Sequence, residues 1–269
     1  MPASELKSVV HTLIQITDSH LFAEPEGNLL GLPTSESLKA VVELAALENP
    51  DACLVLATGD ISQDATLESY QHFVRQIGLI DAPMRWLPGN HDEALVQLQA
   101  AAGADWSQPV TDLPGWRIIM LDSSVSGAVF GQLLHGQLQL LEEALRSAGE
   151  RHVLVCMHHH PVPIDCRWLD NLGLRNADEF FGVLDACPRV RGVLWGHIHQ
   201  ELDVERNGVR LLATPSTCIQ FAPRSDDFAL DHLLPGYRWL RLHADGRIET
   251  GVSRLRQLDY EIDFSQDGY

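Results

Sequence analysis

The chain has 269 residues, 45% of them hydrophobic, and a formal net charge of −18. That length suits one α/β unit with a large core, and no stretch is both long and apolar enough to cross a bilayer as a helix. The strongly negative field disfavours nucleic acid and anionic membranes as partners.

The start, MPASELKSVVHTLIQITD, lacks the basic opening, apolar stretch and cleavage site of a secretion signal. The apolar run at 11–17 reads as a strand. Leu38, Val41, Val42 and Ala45 then recur at helical spacing, with Thr34 and Ser35 as caps. A short buried strand follows at 53–58, a helix at 66–77 and a third strand at 84–87. Strands are expected at 116–121, 153–157 and 190–195, with helices at 137–145 and 178–184 between them. After residue 200 the pattern becomes antiparallel. Asn207-Gly208 and Asp245-Gly246 each sit between extended runs and read as hairpins. No Ser/Gly-rich linker or repeat divides the chain, so one domain is expected over 1–256, with a polar tail at 257–269. Five scattered cysteines form no CxxC pair, which argues for a reducing compartment, the cytoplasm.

Metal-binding side chains fall just beyond the expected strands. Asp18-Ser19-His20 follows the first, Gly59-Asp60 the second, and Gly89-Asn90-His91-Asp92 the third. His158 follows the strand at 153–157, and Gly196-His197-Ile198-His199 the one at 190–195. In α/β sheets, ligands gather beyond the carboxyl ends of strands. In Asp-x-His and His-x-His, an extended backbone points both side chains the same way. Each piece alone is weak, because Gly-Asp is usually a turn and a single histidine usually a satisfied one. Five in order, each at a strand end, make a site. Two carboxylates, one amide oxygen and four imidazoles exceed the needs of one ion and suit two that share a carboxylate. A donor set without thiolate favours Fe, Mn, Zn or Ni.

The motif order DxH, GD, GNH[ED], H, GHxH resembles that of the calcineurin-like metallophosphoesterases from Asp18 to His199. Within that superfamily, the runs ATGDISQD, WLPGNHD, MHHHPVP, LRNADEF, GHIHQELD and RLLATPSTC are similar to the bacterial class III 3′,5′-cyclic AMP phosphodiesterases, as far as about residue 220. The resemblance implies an α/β fold, a four-layer sandwich of two mixed β-sheets flanked by helices. It implies two divalent ions, Fe2+ foremost and Mn2+ as the alternative. The first ion would lie among Asp18, His20, Asp60 and His199, and the second among Asp60, Asn90, His158 and His197, with Asp60 bridging. His91 would be catalytic, and His20, Asp60, Asn90 and His91 would meet the substrate.

The implied reaction is hydrolysis of cyclic AMP to 5′-AMP by a metal-bridging hydroxide, which would lower cellular cyclic AMP. The partner is then a small nucleotide. Many relatives carry Glu where Asp92 stands, and either carboxylate is expected to orient a neighbouring imidazole. The run 59–64 lacks the arginine of the protein phosphatases, which disfavours a phosphoprotein substrate. The alternative is a broader phosphodiesterase or phosphomonoesterase. A non-catalytic scaffold predicts missing ligands, and none is missing. A nuclease fits the charge poorly.

Two points stay open at this stage. In His158-His159-His160, alternation points His158 and His160 one way and His159 the other, and His158 is chosen because it directly follows the strand. The stretches 167–176 and 214–224 should border the site. Trp168 or Phe221 could stack on a purine there, with packing of their own loops as the more ordinary role.

Overall fold

A computed structural model describes residues 9–266 and 268. The chain begins with β1 (Val10–Ile16), the two-residue strands β2 (Asn28–Leu29) and β3 (Leu32–Pro33), and helix α1 (Thr34–Glu48). Next come β4 (Ala52–Thr58), α2 (Leu67–Ile77), β5 (Met84–Leu87) and α3 (Ala94–Ala100). A 3₁₀ turn at Asp105–Ser107 leads to β6 (Val110–Leu113), β7 (Trp116–Met120), α4 (His135–Arg146) and β8 (His152–Cys156). Then follow α5 (Arg167–Asp170), α6 (Ala177–Leu184), β9 (Val190–Trp195), β10 (Leu202–Arg206) and β11 (Val209–Ala213). The last strands are β12 (Gln220–Phe221), β13 (Leu230–Asp231), β14 (Gly236–His243) and β15 (Ile248–Arg254).

Two mixed sheets result, ordered β15-β14-β1-β4-β5 and β10-β11-β9-β8-β7-β6. Their central strands β1, β4, β7, β8 and β9 are largely apolar on both faces, as strands covered on both sides must be, whereas the edge strands β10, β6 and β15 are not. In β1, Leu13 points to the seam between the sheets, while Ile14 and Ile16 meet α1 and α2. In β8, Leu154 and Cys156 enter the seam, while Val153 and Val155 join Leu141 of α4 and Phe180 of α6 on the far side. The layers are therefore helix, sheet, sheet, helix, the expected sandwich. No helix among the described residues is long and apolar enough to span a membrane.

Several local expectations change. Thr34 and Ser35 do not cap α1. Pro33 occupies the cap position without a side-chain bond, and Ser37 inside the helix donates to the Thr217 carbonyl at 2.6 Å. The Asn207-Gly208 hairpin has both residues at positive φ, 52° and 78°, as a tight two-residue turn needs. The second hairpin is longer. The His243 amide donates to the Arg247 carbonyl, so the turn spans 244–246. Beyond β15, Leu258 and Ile262 pack on the core beside the second sheet, and the Asp263 amide donates to the Leu30 carbonyl at 2.8 Å.

One polar chain crosses the apolar seam. Gln15 on β1 donates to Thr58 Oγ1 at 2.7 Å and to the Trp195 carbonyl of the other sheet at 3.1 Å, and accepts from Thr214 Oγ1. Arg238 on β14 donates to Thr214 Oγ1 at 3.1 Å, the Ala213 carbonyl at 2.7 Å and the Leu202 carbonyl at 3.3 Å. Burial pulls its guanidinium down to about 10, so it stays charged at neutral pH. Removing it strands carbonyls that no water reaches. Arg238→Ala should lower the stability of metal-free protein by about 2–4 kcal/mol in urea unfolding. Arg241→Ala, on the exposed side of the same strand, should shift it by less than about 0.5 kcal/mol.

Candidate metal centre

Every side chain singled out as a ligand leaves the carboxyl end of a strand. Asp18 and His20 follow β1, Asp60 follows β4, and Asn90 follows β5, all in the first sheet. His158 follows β8 and His197 and His199 follow β9, in the second. The Asp18 and His20 amides donate to the Gly59 and Asp60 carbonyls at 3.0 Å, which locks two loops together. The His197 amide donates to both oxygens of Asp18, at 3.0 and 3.1 Å, which joins the sheets.

The paired motifs converge for a different reason than an extended backbone. Asp18, His20, Asp60, His197 and His199 all lie in the left-handed region, with φ of 54°, 46°, 48°, 65° and 48°. Each costs roughly 1–3 kcal/mol outside glycine. The loops curl at these five residues and turn their side chains inward, whereas Asn90 and His158 reach the site without left-handed backbone. Two glycines serve closeness instead. A Cβ on Gly89 would overlap Asp60 Oδ1, and one on Gly196 would overlap Thr17 Oγ1.

The seven side chains meet in two overlapping groups. In one, His20 Nε2 lies 3.3 Å from His199 Nε2 and 3.8 Å from Asp60 Oδ2, and His199 Nε2 lies 3.4 Å from Asp18 Oδ1. In the other, His158 Nε2 lies 3.2 Å from both Asp60 Oδ2 and Asn90 Oδ1, and the His197 ring is 5.1 Å from that of His158. Asp60 is common to both. Three histidines have Nδ1 committed as a donor. His158 Nδ1 donates to the Thr58 carbonyl at 2.8 Å, His199 Nδ1 to the Ile219 carbonyl at 2.9 Å, and His20 Nδ1 to Gln63 Oε1 at 2.6 Å. A neutral imidazole that donates through Nδ1 presents a lone pair at Nε2. The Nε2 atoms of His20 and His199 thus face each other across 3.3 Å. His197 Nε2 is buried with no hydrogen-bond partner among the described residues. Two carboxylates and inward lone pairs fit cations, and the residues present suit a divalent metal pair.

The electrostatics agree. Burial raises the Asp60 carboxyl, but the His158, His91 and His20 imidazoles outweigh it and hold the group well below the usual range. Burial lowers His158, yet Asp60 overrides it and pushes it up to about 9. Burial takes His20 down to about 3 and also depresses His197. Without metal, one proton on His158 answers the charge of Asp60.

Of the histidine run, His158 is the one whose Nε2 meets Asp60 and Asn90. His159 is engaged at both nitrogens, with Ser123 Oγ at 2.8 Å and the Val129 carbonyl at 3.1 Å. His160 lies parallel to His197, with centroids 5.6 Å apart. Asp92 accepts from the amides of Gly89 at 2.8 Å, Ser62 at 3.0 Å and Ile61 at 3.2 Å, and from the Tyr70 hydroxyl at 3.0 Å. It ties the Asp60 loop to the Asn90 loop. Gln63 and the thiol of Cys218 were not anticipated. Cys218 Sγ lies within 4.8 Å of the ring nitrogens of His20 and His199, and burial pushes the thiol up to about 12, so it stays neutral. Asking which acceptor fixes each ligand imidazole would have pointed to Gln63, which stands three residues after Asp60.

The half-exposed His91 stands at the mouth, its ring edge-on to His20 at 4.9 Å. A pocket of about 280 Å³ opens beside it. Asp60, Asn90, His91 and His197 form its polar wall, and Trp168, Leu172 and Phe228 face them.

The profile of the calcineurin-like phosphoesterases matches residues 11–201. This chain belongs to the calcineurin-like phosphoesterases. It is 53% identical over 257 residues to the 3′,5′-cyclic adenosine monophosphate phosphodiesterase CpdA of Pseudomonas aeruginosa, covering 96% of this chain and 94% of that one. The protein of the same name from Escherichia coli K12 is 47% identical over 259 residues, with the same coverage. A dimetal phosphatase from Danio rerio shares the fold at 16% identity, with a TM-score of 0.62 over 91% of this chain and 98% of that one. Membership in this phosphoesterase family implies a dinuclear divalent-metal site.

Two outcomes follow for this phosphoesterase. His158 titrates higher folded than unfolded. Its contribution to metal-free stability is therefore complete below about pH 6.5 and lost as pH rises through about 9. His20 and His160, the latter lowered to about 4 by burial, titrate lower folded, so they cost stability as pH falls below about 6.5. The urea midpoint of chelated protein should drop on both sides of neutrality, and more steeply on the acid side. Loading metal at pH 7.5 should release about one proton, the one on His158, read by calorimetry in buffers of different ionisation enthalpy. In a second test, Gly196→Ala should cut bound metal well below the wild-type content, measured by elemental analysis after dialysis.

Proposed function

We propose that this phosphoesterase hydrolyses 3′,5′-cyclic AMP to 5′-AMP and so lowers the cyclic nucleotide in the cytoplasm. The observation that carries the reading is Asp60, one buried carboxylate shared by two clusters of inward-facing donors and open to a pocket. The nucleotide is supported by the names of the relatives matched over nearly the whole chain. In this reading Asp18, His20, Asp60 and His199 hold one ion, and Asp60, Asn90, His158 and His197 the other. The resemblance to the cyclic AMP phosphodiesterases supports Fe2+ in the first set and Fe2+ or Mn2+ in the second, and nitrogen and oxygen donors are compatible with both ions. When bound, such ions polarise phosphoryl oxygens and lower the pKa of the attacking water.

The chain supplies the rest. The loops hold the donors rigid through Asp92 and through the carbonyls that fix each tautomer. His20, Asp60, Asn90 and His91 line the place where a phosphate enters. Water adds to phosphorus, the bond from phosphorus to O3′ breaks, and a proton must reach O3′. His91 is positioned for that proton. It is half-exposed at the mouth, whereas His20, His158, His197 and His199 are buried. The positive ions also explain how a chain of charge −18 attracts an anion, since local charge outweighs the distant field.

Asp60→Ala should abolish cyclic AMP hydrolysis and reduce bound metal. Retained turnover in that variant overturns the shared-carboxylate assignment. His91→Ala should keep both metals and lose about 10²–10⁴ in rate. Protein stripped by chelation and reloaded with Fe2+ or Mn2+ should turn over cyclic AMP faster than cyclic GMP, 2′,3′-cyclic nucleotides or an aryl phosphate. Equal rates across these substrates would establish the broader phosphoesterase instead.

A further inference from the structure

The pocket beside the metal centre has two unlike walls. One carries Asp60, Asn90, His91 and His197. The other is aromatic and aliphatic, without a charged side chain, and comes from two separate segments. Trp168 and Leu172 belong to the segment around α5, and Phe221 and Phe228 to the segment around β12. The phosphate of a nucleotide needs the first wall only, so the second requires its own account.

The aromatic side is built, not incidental. Phe221 lies flat on His199, with centroids 4.1 Å apart and an interplanar angle of 8°. Trp168 meets the edge of Phe221 at 5.0 Å and of Phe228 at 5.3 Å. The two segments are fastened to each other. The Arg167 amide donates to the Ser225 carbonyl at 3.1 Å, and the buried Cys166 thiol to the same carbonyl at 3.3 Å. Phe221 has one face committed to His199 and is nearly fully buried. Trp168 is only half-buried, borders the pocket, and has an indole Nε1 that is buried without a hydrogen-bond partner among the described residues. A buried indole N–H normally finds an acceptor.

We propose that Trp168, braced by Phe221 and Phe228, is the platform on which the nucleobase of the substrate stacks. The inference rests on the nucleotide reading given above and deepens it. The base is the apolar, flat and uncharged part of the substrate, and it has a π-face. The aromatic side offers what that face needs, at the distance of one ring from the metal-facing His199. An aliphatic group would leave the ring faces without a stacking partner. Because Phe221 touches both His199 and Trp168, the platform is held in fixed relation to the metal centre before any ligand arrives.

The test uses the whole metal-loaded protein, with AMP binding read by calorimetry and cyclic AMP turnover read separately. Base stacking is worth about 1–3 kcal/mol by alanine substitution, which is roughly a 5- to 150-fold change in affinity. Trp168→Ala should raise the KM for cyclic AMP and the Kd for AMP by about tenfold or more. It should leave metal content and the rate on methyl 4-nitrophenyl phosphate, which carries no nucleobase, close to wild type. Trp168→Phe should recover most of the affinity, because a face is restored. Unchanged AMP affinity in Trp168→Ala overturns the proposal, as does an equal loss on the substrate without a base, which marks a purely structural role. If the wild-type protein binds AMP through Trp168 yet turns over no cyclic nucleotide, the platform stands and the assigned reaction falls.

Discussion

The molecule is organised around a convergence of donors. Imidazole nitrogens and the carboxylates of Asp18 and Asp60 are held within about one hydrogen-bond length of each other beside an open pocket. Without metal the proton on His158 balances Asp60, and cations standing among the donors would take its place. Each larger feature serves that arrangement. Two sheets bring five strand ends to one place, five of the ligand residues accept left-handed backbone, and carbonyls from Thr58 and Ile219 fix which nitrogen faces inward. The polar chain from Gln15 to Arg238 hydrogen-bonds the two sheets to each other across the apolar seam.

The site was legible in the sequence because its information is local. Asp18-x-His20 and His197-x-His199 announce themselves by spacing, and their strands announce themselves as apolar runs. The reason offered for the spacing was nevertheless wrong. Extended backbone was expected, and curled loops deliver the same convergence through positive φ, which a motif does not display. Asp92 was legible as a residue but not as a contact. Its partners Gly89, Ile61, Ser62 and Tyr70 come from two loops and a helix, and only folding assembles them. The buried strands were found to within a residue or so. The short strands β2, β3, β12 and β13 were not, since two-residue pairings carry no periodicity. The edge strand β6 and the short helix α3 were missed for the same kind of reason. The first has one covered face, and the second has only Gln97 buried.

The pocket separates two kinds of recognition. Carboxylate, amide and imidazole groups line one part of it and ring surface another, so under the proposed reading each part of a nucleotide would meet a surface of matching polarity. The negative residues are dispersed over the exterior, while the acidic groups of the centre, Asp18 and Asp60, face inward.

The pairing of β1 with β14 has a consequence for synthesis. The contact runs from Val10 opposite His243 to Gln15 opposite Arg238. All seven candidate ligands have left the ribosome once His199 emerges, but β14 (Gly236–His243) has not yet emerged. A nascent chain at that stage presents β1 with an unpaired edge, and such an edge invites pairing with other chains. It also lacks the arginine that hydrogen-bonds across the seam. The metal loops therefore acquire their final rigidity only when nearly the whole polypeptide is available. The complete set of ligands in a partial chain is not yet a site.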